Sequence, residues 1–272
     1  MNPISHNLDT PFSLSPEQVR RYQQDGHIIL RGVASSEEIA TYRPYIQENL
    51  RKESDKREAE GRPGGYKSYF DQVTNLWRLS EEVRRFVFAA RFARVAAELM
   101  GVNGVRLYHD QALFKPVGGK ATPWHQDQFY WPLDTRNTIT MWMPLLDLTK
   151  DMGTMIFASG SHHNGPLASI SISEESDKFY DRLVKEKGFP TASYDLRAGD
   201  ATFHSGWTAH AAHANAGDRV REVMTIIFFA DGTRILEPDN SFRAVDMQAF
   251  HPGQKPGEFA ASPLNPLLYS AP

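Results

Sequence analysis

The chain has 272 residues, 40% hydrophobic and 23% charged, with a net charge of −3 when histidine is neutral. That length suffices for a substantial core, and the absence of a basic block removes the electrostatic footprint of a nucleic-acid binder. There is no cysteine, so disulfides, thiolate metal sites and cysteine nucleophiles are excluded, and any metal must be held by nitrogen and oxygen.

Residues 1–10 lack a basic stretch followed by an apolar core, and no apolar run approaches the length of a membrane span. The expectation is an unexported, cytoplasmic protein without a membrane partner, folded as one domain over 1–272. Its oligomeric state is not legible.

Ser15, Pro16 and Gln18 form a capping box with proline at the first helical position, and Asp25-Gly26 ends that helix. A strand is expected at 27–30. Ser35 and Glu38 open a second helix running toward Arg51, and the alternating charges from Arg51 to Arg62 predict a solvated helix end and loop. Gly61-Arg62-Pro63-Gly64-Gly65 breaks the pattern. A third helix is expected from Ser80 to Gly101, with Val83, Phe86, Val87, Ala90, Val95 and Leu99 as a core-facing stripe.

Beyond this the period changes to that of strands, over 105–114, 138–144, 154–158, 201–204 and 222–229. Helices followed by many short strands predict a mainly β fold, an antiparallel sandwich or barrel backed by N-terminal helices, of which a jelly-roll core would bring distant segments together at its mouth. A helix within 171–187 interrupts the strands as a candidate lid. After Asp231-Gly232 a proline-rich tail follows, with Phe242, Phe250, Phe259, Leu268 and Tyr269 as anchors that pack it on the core.

The sharpest local signal is Pro123-Trp124-His125-Gln126-Asp127. On a strand, residues two apart project from one face, so an imidazole nitrogen of His125 and a carboxylate oxygen of Asp127 can reach one cation. A third ligand is available from His204, His210 or His213. Two histidines and one carboxylate suit non-haem Fe(II), since three ligands on one octahedral face leave three positions open. Arg221 opens the strand at 222–229, where its guanidinium can grip a carboxylate in two places.

The ordered set of Gly26-His27, Lys115-Pro116, residues 123–132, Trp142, Gly153, Gly160-Ser161-His162, Gly199-Asp200 and His210 through Arg221 resembles the phytanoyl-CoA dioxygenase family of Fe(II)/2-oxoglutarate oxygenases. The likeness implies His125, Asp127 and His210 as metal ligands and catalytic centre, with His213 and His204 ranked after His210. It implies Arg221 as the anchor of 2-oxoglutarate, with Trp142 and Gln111 lining the co-substrate. Ala212 replaces a common hydroxyl residue, for which Thr225 or Gln111 would compensate. The spacing from His204 to His210 is one residue longer than the family pattern.

That resemblance implies Fe(II), 2-oxoglutarate and O2 as cofactor and co-substrates, release of succinate and CO2, and hydroxylation of a small organic metabolite, with specialised metabolism as its expected source. Asp127 favours hydroxylation over halogenation. Desaturation, ring closure and epimerisation share the same oxidant. The lack of a basic cluster speaks against a CoA thioester. The competing readings are a non-catalytic metal- or ligand-binding jelly roll and a zinc hydrolase. His162 and His163 read as turn residues, and His27 and His109 as packed strand residues. Trp124, Tyr130 and Trp131 either line a pocket or cap the barrel; Asn75 and Trp77 are further pocket candidates. Lys115 and Lys120 read as solvated, with a role toward an anionic substrate as the alternative.

Overall fold

The computed structural model describes residues 8–61 and 69–271, so the expected break at 62–65 lies outside the described residues. The helical part comprises α1 (Pro16–Asp25), β1 (His27–Leu30) and α2 (Ser36–Ala59), then β2 (Asp71–Thr74), α3 (Glu81–Val87) and α4 (Ala90–Met100). Both capping boxes form, Ser15 with Gln18 and Ser35 with Glu38. The charged run expected as a helix end and loop is mostly helix, because α2 continues through Ala59.

The single helix expected from Ser80 to Gly101 is two. Phe88 caps α3, and Ala89 turns extended with φ −56° and ψ 120°. Phe86 and Phe92, both fully buried, meet edge to face at 5.3 Å across this break. On one continuous helix they would point about 120° apart around the axis.

The strands follow as β3 (Gly104–Lys115), β4 (Thr122–His125), β5 (Thr138–Pro144), β6 (Met155–Ala158), α5 (Glu174–Lys187), β7 (Thr191–Ser193), β8 (Ala201–Ser205), β9 (His210–Ala212), β10 (Arg221–Ala230), α6 (Ser241–Phe250) and β11 (Leu267–Ser270). They build two antiparallel sheets, a larger one ordered β1-β8-β5-β10-β3-β11 with β2 also on β3, and a smaller one ordered β4-β9-β6-β7. This is the expected jelly roll.

The pleat of the larger sheet divides its residues. Ile139, Met141 and Met143 of β5, and Met224, Ile226 and Phe228 of β10, join the helices in one core cluster. Thr140, Trp142, Thr225 and Ile227 face the opposite way, into a cavity between the sheets. β5 is buried throughout because both of its faces are covered. Helices and sheet are tied by charge as well: Glu38 of α2 pairs with Arg91 of α4, and Glu222 of β10 accepts from Arg43 and Gln47 of α2. After β1, Asp200 accepts from the Gly32 and Arg197 amides, so Gly199-Asp200 acts as a structural clamp.

α5 backs the outer face of the smaller sheet, where Tyr180 and Val184 pack with Trp124, Ala158 and Ala211. It is therefore a cover for the sheet; the segment just before it reaches the cavity, through Ile172. The proline-rich tail forms α6 and β11. Phe250 is buried and Leu268 and Tyr269 pack on the core, whereas Phe242 and Phe259 stay partly exposed and touch it at their edges, through Phe129 and Tyr130 and through Arg234. No helix among the described residues is long and apolar enough to cross a membrane.

Lys115 is not solvated, as the sequence suggests, but fully buried at the end of β3. Its ammonium donates to the carbonyls of Lys120 (2.7 Å) and His213 (2.9 Å), joining three chain segments. Burial lowers its pKa to about 7, with Arg221 adding to the effect. An unfolded lysine stays protonated to about 10.4, so between these values the unfolded chain binds more protons and folding stability rises with pH. In chemical denaturation, wild type should gain about 1 kcal/mol per pH unit from pH 7.5 to 9 relative to Lys115→Met. Parallel curves for the two proteins would contradict the burial of this charge.

Candidate functional site

Two cross-strand rows of the larger sheet line the cavity, with Arg221 beyond them. Thr74, Gln111, Thr225 and Trp142 stand side by side across β2, β3, β10 and β5. His109, Ile227, Thr140 and His204 form the next row across β3, β10, β5 and β8. Arg221 sits at the opposite end of β10, facing Lys115 in register. The smaller sheet forms the other wall, with His210 of β9 directly opposite His125 of β4. This pairing brings together residues 85 positions apart in sequence, with ring centroids 4.2 Å apart.

His125 ends its strand, and Asp127 begins a single 3-10 turn, so the pair does not lie on one continuous strand as the sequence suggests. Gln126 between them is extended and preserves the two-residue relation. Its buried amide turns the other way, donating to the Gly165 and Trp207 carbonyls and accepting from the Leu167 amide.

One ligand atom from each of His125, Asp127 and His210 lies within 4.8 Å of the others. The Nδ1 atoms of both histidines contact carbonyl oxygens, Pro123 at 2.8 Å and Thr208 at 2.9 Å. A carbonyl only accepts, so Nδ1 carries the proton and each Nε2 presents a lone pair. These lone pairs converge on Asp127 Oδ1 at 3.4 and 3.6 Å. Three acceptors facing one another without a proton between them repel, and a cation at their centre removes the repulsion. Burial, reinforced by His125, holds His210 neutral.

The other candidate histidines fall elsewhere. His204 reaches the site from the larger sheet: its Nε2 donates to Asp127 Oδ2 at 3.3 Å, beside the Thr140 hydroxyl at 3.3 Å. It thus grips the oxygen turned away from the other two histidines. His213 does not line the cavity. His162 and His163 bind the Gln23 and Gln24 carbonyls, and His27 stacks on Phe157. His109 is packed, stacking on Phe250, yet it also lines the cavity.

Arg221 is fully buried, donating to the carbonyls of Gly153 (2.8 Å) and Leu113 (3.4 Å), with its Nε unpartnered. It lies 5.5 Å from the Trp142 ring. Among the described residues no carboxylate pairs with it, and burial weakens its hold on the proton. An uncompensated buried guanidinium is costly, and an anionic ligand relieves that cost.

Thr225 donates its hydroxyl to the Gln111 carbonyl and Gln111 Oε1 accepts from Gln72, while both side chains line the cavity. Thr122, in register with Ala212 on β4, adds a further hydroxyl there. Tyr130 and Trp131 line the cavity; Trp124, Asn75 and Trp77 do not, and Lys120 is exposed. Sequence reasoning missed the roles of Thr140 and His204 at Asp127, although strand alternation along 138–144 and 201–204 carries the phase that points them inward. It missed Asp246 in the cavity wall too, where the tail offers no periodic signal.

A model of the phytanoyl-CoA dioxygenase (PhyH) family matches residues 22–223. Ectoine dioxygenase of Bordetella parapertussis is 25% identical over 155 residues, covering 55% of this chain and 50% of that protein. The chain thus spans about half the length of the curated relatives it matches first. Among solved structures, the 2-oxoglutarate-dependent carbocyclase SnoK from nogalamycin biosynthesis superposes with a TM-score of 0.76 at 25% identity, over 94% of this chain and 98% of that one. EctD from S. alaskensis, solved with 2-oxoglutarate and 5-hydroxyectoine, shares the fold with a TM-score of 0.66 at 17% identity, over 89% of each chain. The family match covers most of the chain, and the chain belongs to the phytanoyl-CoA dioxygenase family.

Proposed function

We propose that this chain, acting as one domain, is an Fe(II)- and 2-oxoglutarate-dependent oxygenase that hydroxylates a small organic metabolite in the cytoplasm. The observation that carries the reading is the pairing of two uncompensated sites in one cavity: a convergence of three acceptors at His125, Asp127 and His210, and an unpaired buried cation at Arg221. A metal and a dianionic co-substrate answer both.

His125 and His210 would hold the metal through Nε2, each imidazole fixed by its backbone carbonyl, and Asp127 would bind through Oδ1. Arg221 would grip the carboxylate of 2-oxoglutarate remote from the metal, against the Trp142 face, with Thr122, Gln111 and Thr225 along its length. Bound Fe(II), with 2-oxoglutarate and O2, supplies the oxidant for the substrate C–H bond, the co-substrate leaving as succinate and CO2. The protein's part is to orient substrate beside the metal and to exclude water, for which the apolar lining from Met155, Trp131 and Ile172 suffices. Ring closure, as in the name of SnoK, differs only in where the substrate radical is held.

An anaerobic titration tests this directly. Fe(II) with 2-oxoglutarate should give a visible charge-transfer band in wild type that is lost in His210→Ala and that needs about a hundred-fold more 2-oxoglutarate in Arg221→Ala. No band in folded wild type would leave a metal-sensing jelly roll or a zinc enzyme in its place. If His204 fixes Asp127 for the metal, His204→Ala should weaken Fe(II) binding by roughly 10- to 100-fold, and His204→Gln, which still donates from Nε2, should recover most of it. Equal metal affinity in all three proteins would make His204 a packing residue.

A further inference from the structure

We infer that the end of this cavity remote from Arg221 is a subsite for a hydrogen-bond donor, an amine or hydroxyl carried on an apolar ring, with Asp246 as its acceptor. The inference rests on the oxygenase reading and extends it to the class of substrate.

Asp246 and Phe250 lie one turn apart on α6 and both face the cavity. The contact neighbours of Phe250 place this end: it stacks on His109 at 4.1 Å and touches Tyr108 at 5.2 Å, two residues and more along β3 from the Gln111 row and on the side away from Arg221. Tyr130, Trp131 and Ile172 complete an apolar, largely aromatic wall. An acid on the inward face of a helix is unfavourable packing unless something answers it.

The protein answers only half of it. Tyr108 donates its hydroxyl to Asp246 Oδ2 at 2.9 Å. Among the described residues no donor reaches Oδ1 and no cation pairs with this carboxylate. Arg243, one turn earlier, is committed to Asp239 and to the Gln128 carbonyl. Burial accordingly raises the Asp246 carboxyl to about 7, with the Tyr108 bond opposing it.

Charge defines what fits. Among the described lining residues, Arg221 is the one lysine or arginine, and it stands at the other end of the cavity. A carboxylate or phosphate placed beside Asp246 would meet like charge with no counter-ion; an ammonium or hydroxyl would complete the coordination of Oδ1. The aromatic wall favours a flat or cyclic body and adds attraction for an ammonium over its ring faces.

The test uses the Fe(II)- and 2-oxoglutarate-loaded protein with 1-aminoindane, 1-indanol, indane and indane-1-carboxylate. Binding is followed by tryptophan fluorescence and, independently, by perturbation of the visible band. The amine, the alcohol or both should bind at least ten-fold tighter than indane, and the carboxylate weaker than indane. Asp246→Ala should abolish this order, while Asp246→Asn, which retains an acceptor for Tyr108, should lose the preference for the amine and keep that for the alcohol. Binding by none of the four, a carboxylate bound as well as the amine, or an order that survives Asp246→Ala would overturn the subsite. The visible band separates the two ideas: its presence with an unchanged fragment order discards the subsite alone, and its absence discards the oxygenase reading whatever the fragments do.

Discussion

The site depends on a sheet buried on both faces. Strands β5, β8 and β10 contribute alternate residues to the helix-backed core and to the cavity, so one register serves two purposes. A slip of one residue would turn Met141 and Met143 toward the metal site and Thr140 and Trp142 into the helices. The hydrophobic demand of the core face therefore fixes the position of the polar residues on the other. The ties from Glu222 of β10 to Arg43 and Gln47 of α2 hold that strand from behind.

Within the cavity the chemistry is organised by groups left without partners. Asp127 divides its oxygens: Oδ2 takes Thr140 and His204, and Oδ1 is turned to two imidazole lone pairs. At the far wall Arg221 has carbonyls for two of its donors and, among the described residues, no carboxylate. A structural pair would have brought Asp and Arg together, which is the cheaper arrangement for buried charges. Their separation leaves each charge to a ligand, so folding stores an unfavourable electrostatic arrangement that binding relieves.

Much of this was legible from the chain. The capping boxes, the change of period near residue 105 and the antiparallel class followed from local chemistry, because those signals act within a few residues. Arg221 and the His125–Asp127 pair were visible for the same reason, each tied to a short pattern. The split at Phe88 was not, since the stripe from Val83 to Leu99 fits a single helix and only the packing of Phe86 on Phe92 requires the break. Lys115 was misread because burial of a lysine depends on carbonyls supplied by residues 120 and 213, the latter distant in sequence. Thr122 escaped notice because its place opposite Ala212 arises from a strand pairing that no single segment encodes.

The two ends of the cavity are built differently, and that difference bears on selectivity. The metal and Arg221 ends rest on paired strands, whose backbone is fixed by ladders on both sides. The Asp246 end is assembled from α6, the turn at 129–131 and the segment before α5, joined by side-chain contacts such as the Tyr130 hydroxyl accepting from the Ile172 amide. Changes there leave the ladder intact, so the surface that meets the substrate can vary without disturbing the residues that would hold metal and co-substrate. On the proposed reading, the residues that would decide among substrates are to be sought on α6 and beside Ile172.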